Sequence, residues 1–419
     1  YMEINLKNLK SDLGKNSDTL VLYGAGLMGK ISLYYLRKNN IGVNFFCDSD
    51  VRRKGEIVDG LEVITPSDLC KLDRNINILV SNKYLGSVYS LLKEENFINI
   101  GDCSSIIEKT NLDEFYNDES ISLEIKGGRG DFPILKLKRE AEFYVEMCKK
   151  EKYLRSNYLH VKSVDIQITE RCSAKCKNCS NLMQYYKKPM HTDLDNLFYS
   201  IDNFMKAVDE LDEFRVIGGD AFMHKELHKV IKKLDEYDSR IIVYTNAKII
   251  PKNENLEALK NHKVIVDITN YANEASLAHD KLIEVFKKEN INFSTNLCNE
   301  WQDSGKILPF QNKNEKELIH DFDNCCNNEL ISILHGKLYR CPFSANATNL
   351  KAIPYDKTDI VELNHPTSEL SKVRNEIYNL CYNKEYLTAC NFCNGRDYST
   401  KWIKAAEQTK KPLEYTEYK

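Results

Sequence analysis

Three cysteines spaced C-x3-C-x2-C, in Cys172-Ser-Ala-Lys-Cys176-Lys-Asn-Cys179, can offer three thiolates to one small object from a single loop. A four-iron cluster has four corners, so three protein ligands leave one iron open to a substrate or cofactor. A structural zinc would call for a fourth ligand, usually from a second C-x2-C pair. The competing reading is three incidental thiols on a loop. Downstream, Cys325 and Cys326 are adjacent, Cys341 follows, and Cys390-Asn-Phe-Cys393 is a C-x2-C pair. The run 331–342, Ile-Ser-Ile-Leu-His-Gly-Lys-Leu-Tyr-Arg-Cys-Pro, reads as a hairpin turning at His335-Gly336. Such a hairpin would carry Cys341 back toward Cys326, and the C-x2-C pair could close a four-thiolate site. Those four thiolates would also suit a structural zinc.

A different chemistry is suggested near the N-terminus. Gly24-Ala-Gly26-Leu-Met-Gly29 follows the short apolar run 21–23 and opens a helical pattern, and Asp48 ends a second apolar run at 43–47. Glycines so placed let a pyrophosphate approach a helix N-terminus, and the acid would meet a ribose hydroxyl. A degenerate scaffold used only for docking is the alternative.

Elements must hold these groups. The first hundred residues read as strand, glycine turn, helix and strand, with further strands at 61–64, 76–80 and 98–100, the start of a doubly wound parallel sheet. From 164 onward, strands expected at 164–168, 214–217, 241–244, 264–268 and 291–294 alternate with helical stretches such as 194–211 and 227–238. Repeated βα units imply a parallel sheet or barrel whose functional loops lie at the C-terminal strand ends. The periodicity weakens after about 311, where a Cys-bearing, loop-rich segment suggests metal support in place of a large core. The expected organisation is therefore a Rossmann-like domain over 1–110, a linker with a docking helix over 111–160, a βα domain over 161–310 and a Cys-bearing domain over 311–419.

Composition narrows the classes. A chain of 419 residues accommodates two to three domains, and 42% hydrophobic with 29% charged residues is a folded globular balance. Lys+Arg of 59 against Asp+Glu of 62 gives a net charge of −3, with no strong electrostatic reason to bind nucleic acid or an anionic membrane. No apolar run approaches the roughly 18 residues of a membrane span, and the first residues lack a leader pattern. Fourteen cysteines in such a chain point to reduced thiols in a cytoplasmic setting, not to a disulfide scaffold. Cys47, Cys70, Cys103 and Cys148 are scattered and read as small buried hydrophobes.

The C-x3-C-x2-C loop after the first strand of a βα series resembles the signature of the radical S-adenosylmethionine (SAM) superfamily, built on a partial (β/α)6 barrel. The resemblance implies that Cys172, Cys176 and Cys179 carry a four-iron cluster whose open iron chelates the methionine part of SAM. Reductive cleavage would then yield a 5′-deoxyadenosyl radical that takes a hydrogen atom from the substrate. Gly218-Gly219-Asp220, at the end of the second strand, resembles the family's Gly-Gly-Glu motif, which holds the SAM amino group, with the shorter Asp in place of Glu. Asn246, in Tyr244-Thr245-Asn246, matches a Thr-Asn pair that touches SAM; Asn270 and Ser294 are weaker strand-end candidates. Asn178 stands where the family often has an aromatic residue.

The C-terminal segment resembles the family's auxiliary-cluster extension in its short, twitch/SPASM-like form. That implies a second four-iron cluster on Cys326, Cys341, Cys390 and Cys393, with Cys325 able to replace Cys326. Cys298 and Cys381 are then either inert or hydrogen-atom donors to a substrate radical. The N-terminal pattern, with Gly24, Gly26, Gly29 and Asp48 as its candidate nucleotide contacts, resembles small Rossmann-like domains fused to sugar-modifying enzymes. It implies a sugar or sugar-nucleotide substrate, dehydrogenated or epimerised in surface-polysaccharide assembly. An external electron donor such as a flavodoxin or ferredoxin is implied. Peptide or protein modification is the alternative substrate class, and a non-catalytic Fe–S or zinc protein the alternative outside enzymes.

Overall fold

The computed structural model describes residues 19–82, 85–118, 120–121, 134–151, 159–325, 327, 330–364, 369–396 and 400–418. The chain forms two compact units, 1–125 with 132–158, and 126–131 with 159–419. Both are mixed α/β with largely parallel sheets. Among the described residues no helix is long and apolar enough to cross a membrane.

In the first unit, six strands order as β3-β4-β2-β1-β5-β6: β1 Leu20–Tyr23, β2 Phe45–Cys47, β3 Ile57–Val58, β4 Leu61–Ile64, β5 Asn77–Val80 and β6 Asn99–Asp102. All neighbours are parallel except β3 and β4. Strands β1 and β5 are fully buried, which is why they read as apolar runs, interrupted only by Asn77 at the start of β5. The chain reverses its direction of winding between β1 and β5, the place where open α/β sheets form a crevice at the C-terminal strand ends. The helix Ile134–Glu151 lies within the segment expected to be a linker, yet it supplies core to this unit. Leu137, Ala141, Tyr144 and Cys148 recur at helical spacing and are buried with Leu79 and Ile106. The Tyr144 hydroxyl donates to the carbonyl of Val80.

The second unit holds β7 His160–Gln167, β8 Glu210–Ile217, β9 Arg240–Thr245, β10 Val264–Asn270, β11 Phe293–Leu297, β12 Glu300–Gln302, β13 Ile331–Leu334, β14 Lys337–Tyr339, β15 Ile360–Glu362 and β16 Trp402–Lys404. Its main sheet orders as β11-β10-β9-β8-β7-β13-β14-β15, and β12 pairs separately with β16. The six strands from β11 to β13 run parallel, while β14 pairs antiparallel with β13 and β15 antiparallel with β14. Because β13 lies beside β7, the segments 161–310 and 311–419 share one sheet and one unit, in place of the two domains expected from sequence.

Alternation along the strands separates two faces. Val164, Ile166, Phe214, Val216, Ile241 and Val243 join the core beneath the helices. Helix Leu227–Leu234 meets that core with Leu227, Val230, Ile231 and Leu234, a one-sided stripe. The opposite face carries Asp165, paired with Arg215 at 3.3 Å, and the Arg215 guanidinium lies 5.1 Å from the centroid of the Tyr244 ring. The parallel strands bring the loops after β7, β8, β9, β10, β11 and β13 to one end of the sheet, and the site is built there.

Candidate metal centres

The loop after β7 carries Cys172, Cys176 and Cys179, and it rests on the two glycines that follow β8. The amide of Gly219 donates to the carbonyl of Thr169 at 2.9 Å and that of Asp220 to Arg171 at 3.0 Å. A Cβ on Gly218 would lie 2.3 Å from the Thr169 oxygen; one on Gly219 would lie 2.4 Å from the Arg171 oxygen and 2.7 Å from the Cβ of Cys172. Only glycine permits this approach.

The three sulfurs are surrounded by donors. The Ala174 amide points at Cys172 Sγ (3.4 Å), as does Asn246 Nδ2 (3.6 Å). Gln408 Nε2 donates to Cys176 Sγ at 3.2 Å, and backbone N–H groups of Met183, Asn181 and Leu182 face Cys179. Burial pushes the Cys176 thiol up to about 12 and raises Cys172 and Cys179 as well. Metal binding must therefore displace protons from these thiols, and N–H donors suit a sulfur that carries charge. Among the described residues no three His, Cys, Asp or Glu side chains converge as a single-ion site. The fit of the loop to an iron–sulfur group rests on its donor set: three thiols on one loop, each offered N–H groups, with no fourth protein ligand required.

Asp220 is buried beside this loop. Burial pushes its carboxyl up to about 6 against hydrogen bonds from the Phe222 amide (3.0 Å) and Thr245 Oγ1 (3.1 Å). An ammonium group brought next to it would restore its charge. Asn246 reaches the same loop, donating from Nδ2 to Ser173 Oγ at 3.2 Å. Asn270 accepts the Ala272 amide at 2.8 Å and so closes a turn, while Ser294 Oγ is buried without a hydrogen bond among the described residues. Tyr271, which sequence reasoning missed, is placed in the same neighbourhood: burial raises its hydroxyl, and Cys298, Cys176, Cys179 and Cys172 each add to the shift. Cys298 thus lies near the first loop. Cys381 does not share that environment. It packs against the helix-side core, its thiol raised by burial, and its neighbour Tyr382 hydrogen-bonds the carbonyl of His160 at the start of β7, the opposite end of that strand. It is a core thiol, which corrects its candidacy as a hydrogen donor at this loop.

The second cysteine group encloses a cavity of about 50 Å3, with Cys325, Cys341, Cys390 and Cys393 on its wall beside Phe322 and Phe343. Cys326 lies outside the described residues, and Cys325 supplies the fourth thiol of this wall. The hairpin is present as expected, with His335 and Gly336 both at positive φ (48° and 83°). Cys341 caps the helix Pro342–Asn349, its sulfur accepting the Ser344 amide at 3.3 Å. Burial pushes both Cys341 and Cys390 up to about 12. Lys313 pins the C-x2-C turn: its Nζ donates to the carbonyls of Cys390 and Cys393, both at 2.9 Å, and pairs with Asp321 at 2.7 Å. Four thiols lining one cavity without converging, among the described residues, on a single-ion site suit a four-iron cluster, whose cysteine ligands stand apart on separate corners.

A buried polar network joins the two regions. Glu170 accepts from His335 Nε2 (2.9 Å), Asn349 Nδ2 (2.8 Å) and the Met190 amide (2.8 Å). Tyr186 donates to Asn346 Oδ1 at 2.8 Å, and Asn346 donates to Gln167 Oε1 at 3.0 Å.

The chain's end runs back over the first loop. The Lys177 amide donates to the Glu407 carbonyl and the Thr409 amide to the Lys175 carbonyl, each at 2.7 Å, around an antiparallel bridge between Cys176 and Gln408. Further along, the Leu413 amide donates to the Gln184 carbonyl at 2.9 Å, and Tyr415 meets Tyr185 edge-on at 5.7 Å.

In the first unit the glycine loop is closed by its own residues. Asp48 accepts the amides of Ala25 (2.9 Å) and Asp50 (3.0 Å) and pairs with Arg53 at 3.3 Å. Its carboxylate, expected to meet a ribose, is largely engaged in holding the loop. Gly29 is demanded by packing, since a Cβ there would lie 2.0 Å from the Gly24 oxygen. Gly24 adopts φ 119°, and Gly26 precedes the helix Leu27–Lys38 with open space beside it.

No family model matches the sequence, and no curated protein does. Solved structures give remote likenesses. BtrN in complex with AdoMet and 2-DOIA is 14% identical over 61% of this chain and 98% of its own, with a TM-score of 0.34. The anSMEcpe structure with bound AdoMet is 11% identical over 60% and 92%, with a TM-score of 0.35. Streptococcus suis SuiB bound to S-adenosylmethionine is 14% identical over 51% and 49%, with a TM-score of 0.28. Likenesses this remote transfer no ligand and no residue role to this chain.

Proposed function

We propose that the chain is a radical SAM enzyme acting on a sugar or sugar nucleotide. The observation that carries the chemistry is the seating of the Cys172–Cys179 loop on Gly218-Gly219, with the buried carboxyl of Asp220 beside it. A four-iron cluster on Cys172, Cys176 and Cys179, when bound, supplies the electron that cleaves SAM to a 5′-deoxyadenosyl radical able to take a hydrogen atom from the substrate. The chain's own work is to bind, orient and exclude water. Asp220 accepts from the ammonium of SAM, Gly218 and Gly219 let its methionine part approach the backbone, and Asn246 fixes the Cys172 side of the loop. Cys325, Cys341, Cys390 and Cys393 hold a second cluster, which suits removal of an electron from the substrate and hence net oxidation. Cys298, near the first loop, suits return of a hydrogen atom and hence epimerisation. The sugar assignment rests on the glycine loop of the first unit and its sequence resemblance. A flavodoxin- or ferredoxin-type donor and the reducing cytoplasm complete the reading.

The test is anaerobic reconstitution, with about eight irons per chain expected for two clusters. Deoxyadenosine should form from SAM on reduction, and Cys172→Ala/Cys176→Ala/Cys179→Ala should leave about four irons and no cleavage. Deuterated sugar nucleotides and deuterated peptides are then compared as sources of label in deoxyadenosine. Label from peptides alone would overturn the substrate assignment, and a tetrathiolate zinc centre without SAM cleavage would overturn the whole reading.

A further inference from the structure

The amide of Gln408 reaches Cys176 from a residue 232 positions away in sequence, and its orientation is determined by its other contacts. Its Oε1 accepts from the Lys175 amide at 2.6 Å, and its Nε2 donates to the Ala406 carbonyl at 2.7 Å. A backbone amide can only donate and a carbonyl can only accept, so the side-chain NH2 must face the sulfur. The flanking backbone bonds, Lys177 to Glu407 and Thr409 to Lys175, hold the tail in register with the loop. Ala406 is buried against Ala174 and Cys176, so this side of the loop is covered by protein.

We propose that Gln408 is a positioning residue that holds Cys176 and raises the reduction potential of the iron–sulfur centre on the first loop, while the tail around it shields that centre from solvent. The inference rests on the proposed radical SAM reading. Its physical basis is simple: reduction adds negative charge that spreads onto the cysteinyl sulfurs, and an N–H aimed at one of them stabilises the reduced form more than the oxidised form.

The test compares the parent chain with Gln408→Leu and Gln408→Glu, each also carrying Cys390→Ala and Cys393→Ala so that the first centre is read alone. All are reconstituted with iron and sulfide without oxygen, then titrated with dithionite and followed by electron paramagnetic resonance. Air-driven bleaching of the cluster absorbance is timed in parallel. At a poise that half-reduces the parent, the ratio of reduced to oxidised centre should fall roughly several-fold in Gln408→Leu. It should fall further in Gln408→Glu, where an acceptor replaces the donor. Both variants should bleach faster. Parent-like potentials in both variants would overturn the inference, and so would loss of iron uptake in both with parent-like melting, since Gln408 would then serve assembly alone. A parent that loads iron but leaves SAM intact sinks the enzyme reading and leaves this one to the titration; a parent that binds no iron sinks both.

Discussion

Glu170 and His335 meet at 2.9 Å although 165 residues separate them in sequence. The contact ties the start of the first cysteine loop to the turn of the hairpin that leads to Cys341. Glu170 is 4% exposed and accepts from two other donors as well, so it is a buried carboxylate whose charge depends on its partners. Replacing His335 by Ala removes one of the two donors to Glu170 Oε1, where Asn349 Nδ2 remains, and should cost about 0.5–1.5 kcal/mol of stability, read by denaturant unfolding. If His335→Ala unfolds at the parent's denaturant midpoint, the contact contributes nothing and the two regions are not tied through it.

Lys313 is the second tie. It bonds two carbonyls of the Cys390–Cys393 turn and neutralises Asp321. Lys313→Met keeps the alkyl stem but removes all three contacts. The expected outcome is loss of the second centre, from about eight to about four irons per chain, with SAM cleavage retained. Iron analysis beside a deoxyadenosine assay checks both halves, and full iron loading would show that the turn holds its shape unaided.

These ties explain which parts of the site were legible in the sequence. The C-x3-C-x2-C loop, the Gly-Gly-Asp turn and the His335-Gly336 hairpin are local patterns, and each is formed by residues a few positions apart. Strands such as β9 and β10 were visible because strands buried by helices read as apolar runs. Gln408 against Cys176, Lys313 against Cys390, and Tyr271 packed beside the first cysteine loop are long-range placements of ordinary polar residues, with no spacing to betray them. The helix Ile134–Glu151 sits after an irregular, charged stretch, so its apolar stripe read as a docking face and not as core. Asp48 shows the converse: its position relative to the glycines was readable, but its engagement with Ala25, Asp50 and Arg53 was not.

The fourth thiol of the second centre can be assigned by single substitutions. Cys325 stands on the cavity wall with Cys341, Cys390 and Cys393. Cys325→Ala should lower iron by about four per chain, and Cys326→Ala should leave it unchanged. The opposite pattern would give the ligand to Cys326 and make Cys325 a wall residue only.

His224 sets a pH dependence that does not involve the metal ligands. Burial is the main cause that lowers its pKa to about 4, and neighbouring His191, 4.7 Å away ring to ring, adds to the shift; Glu226 opposes it. The Glu226 amide donates to Nδ1 at 3.2 Å, which suits the neutral ring. In the unfolded chain the same imidazole takes a proton near pH 6.5. Between those values the unfolded state binds more protons than the folded one, so stability rises with pH there. The contribution is fully present above about pH 6.5 and is lost progressively as pH falls toward 4, on the order of 3 kcal/mol in all. His224→Gln should flatten that part of the curve, so that its unfolding free energy changes less than the parent's between pH 7 and pH 5. Equal slopes in parent and variant would mean that His224 takes up its proton in the folded state as readily as in the unfolded one.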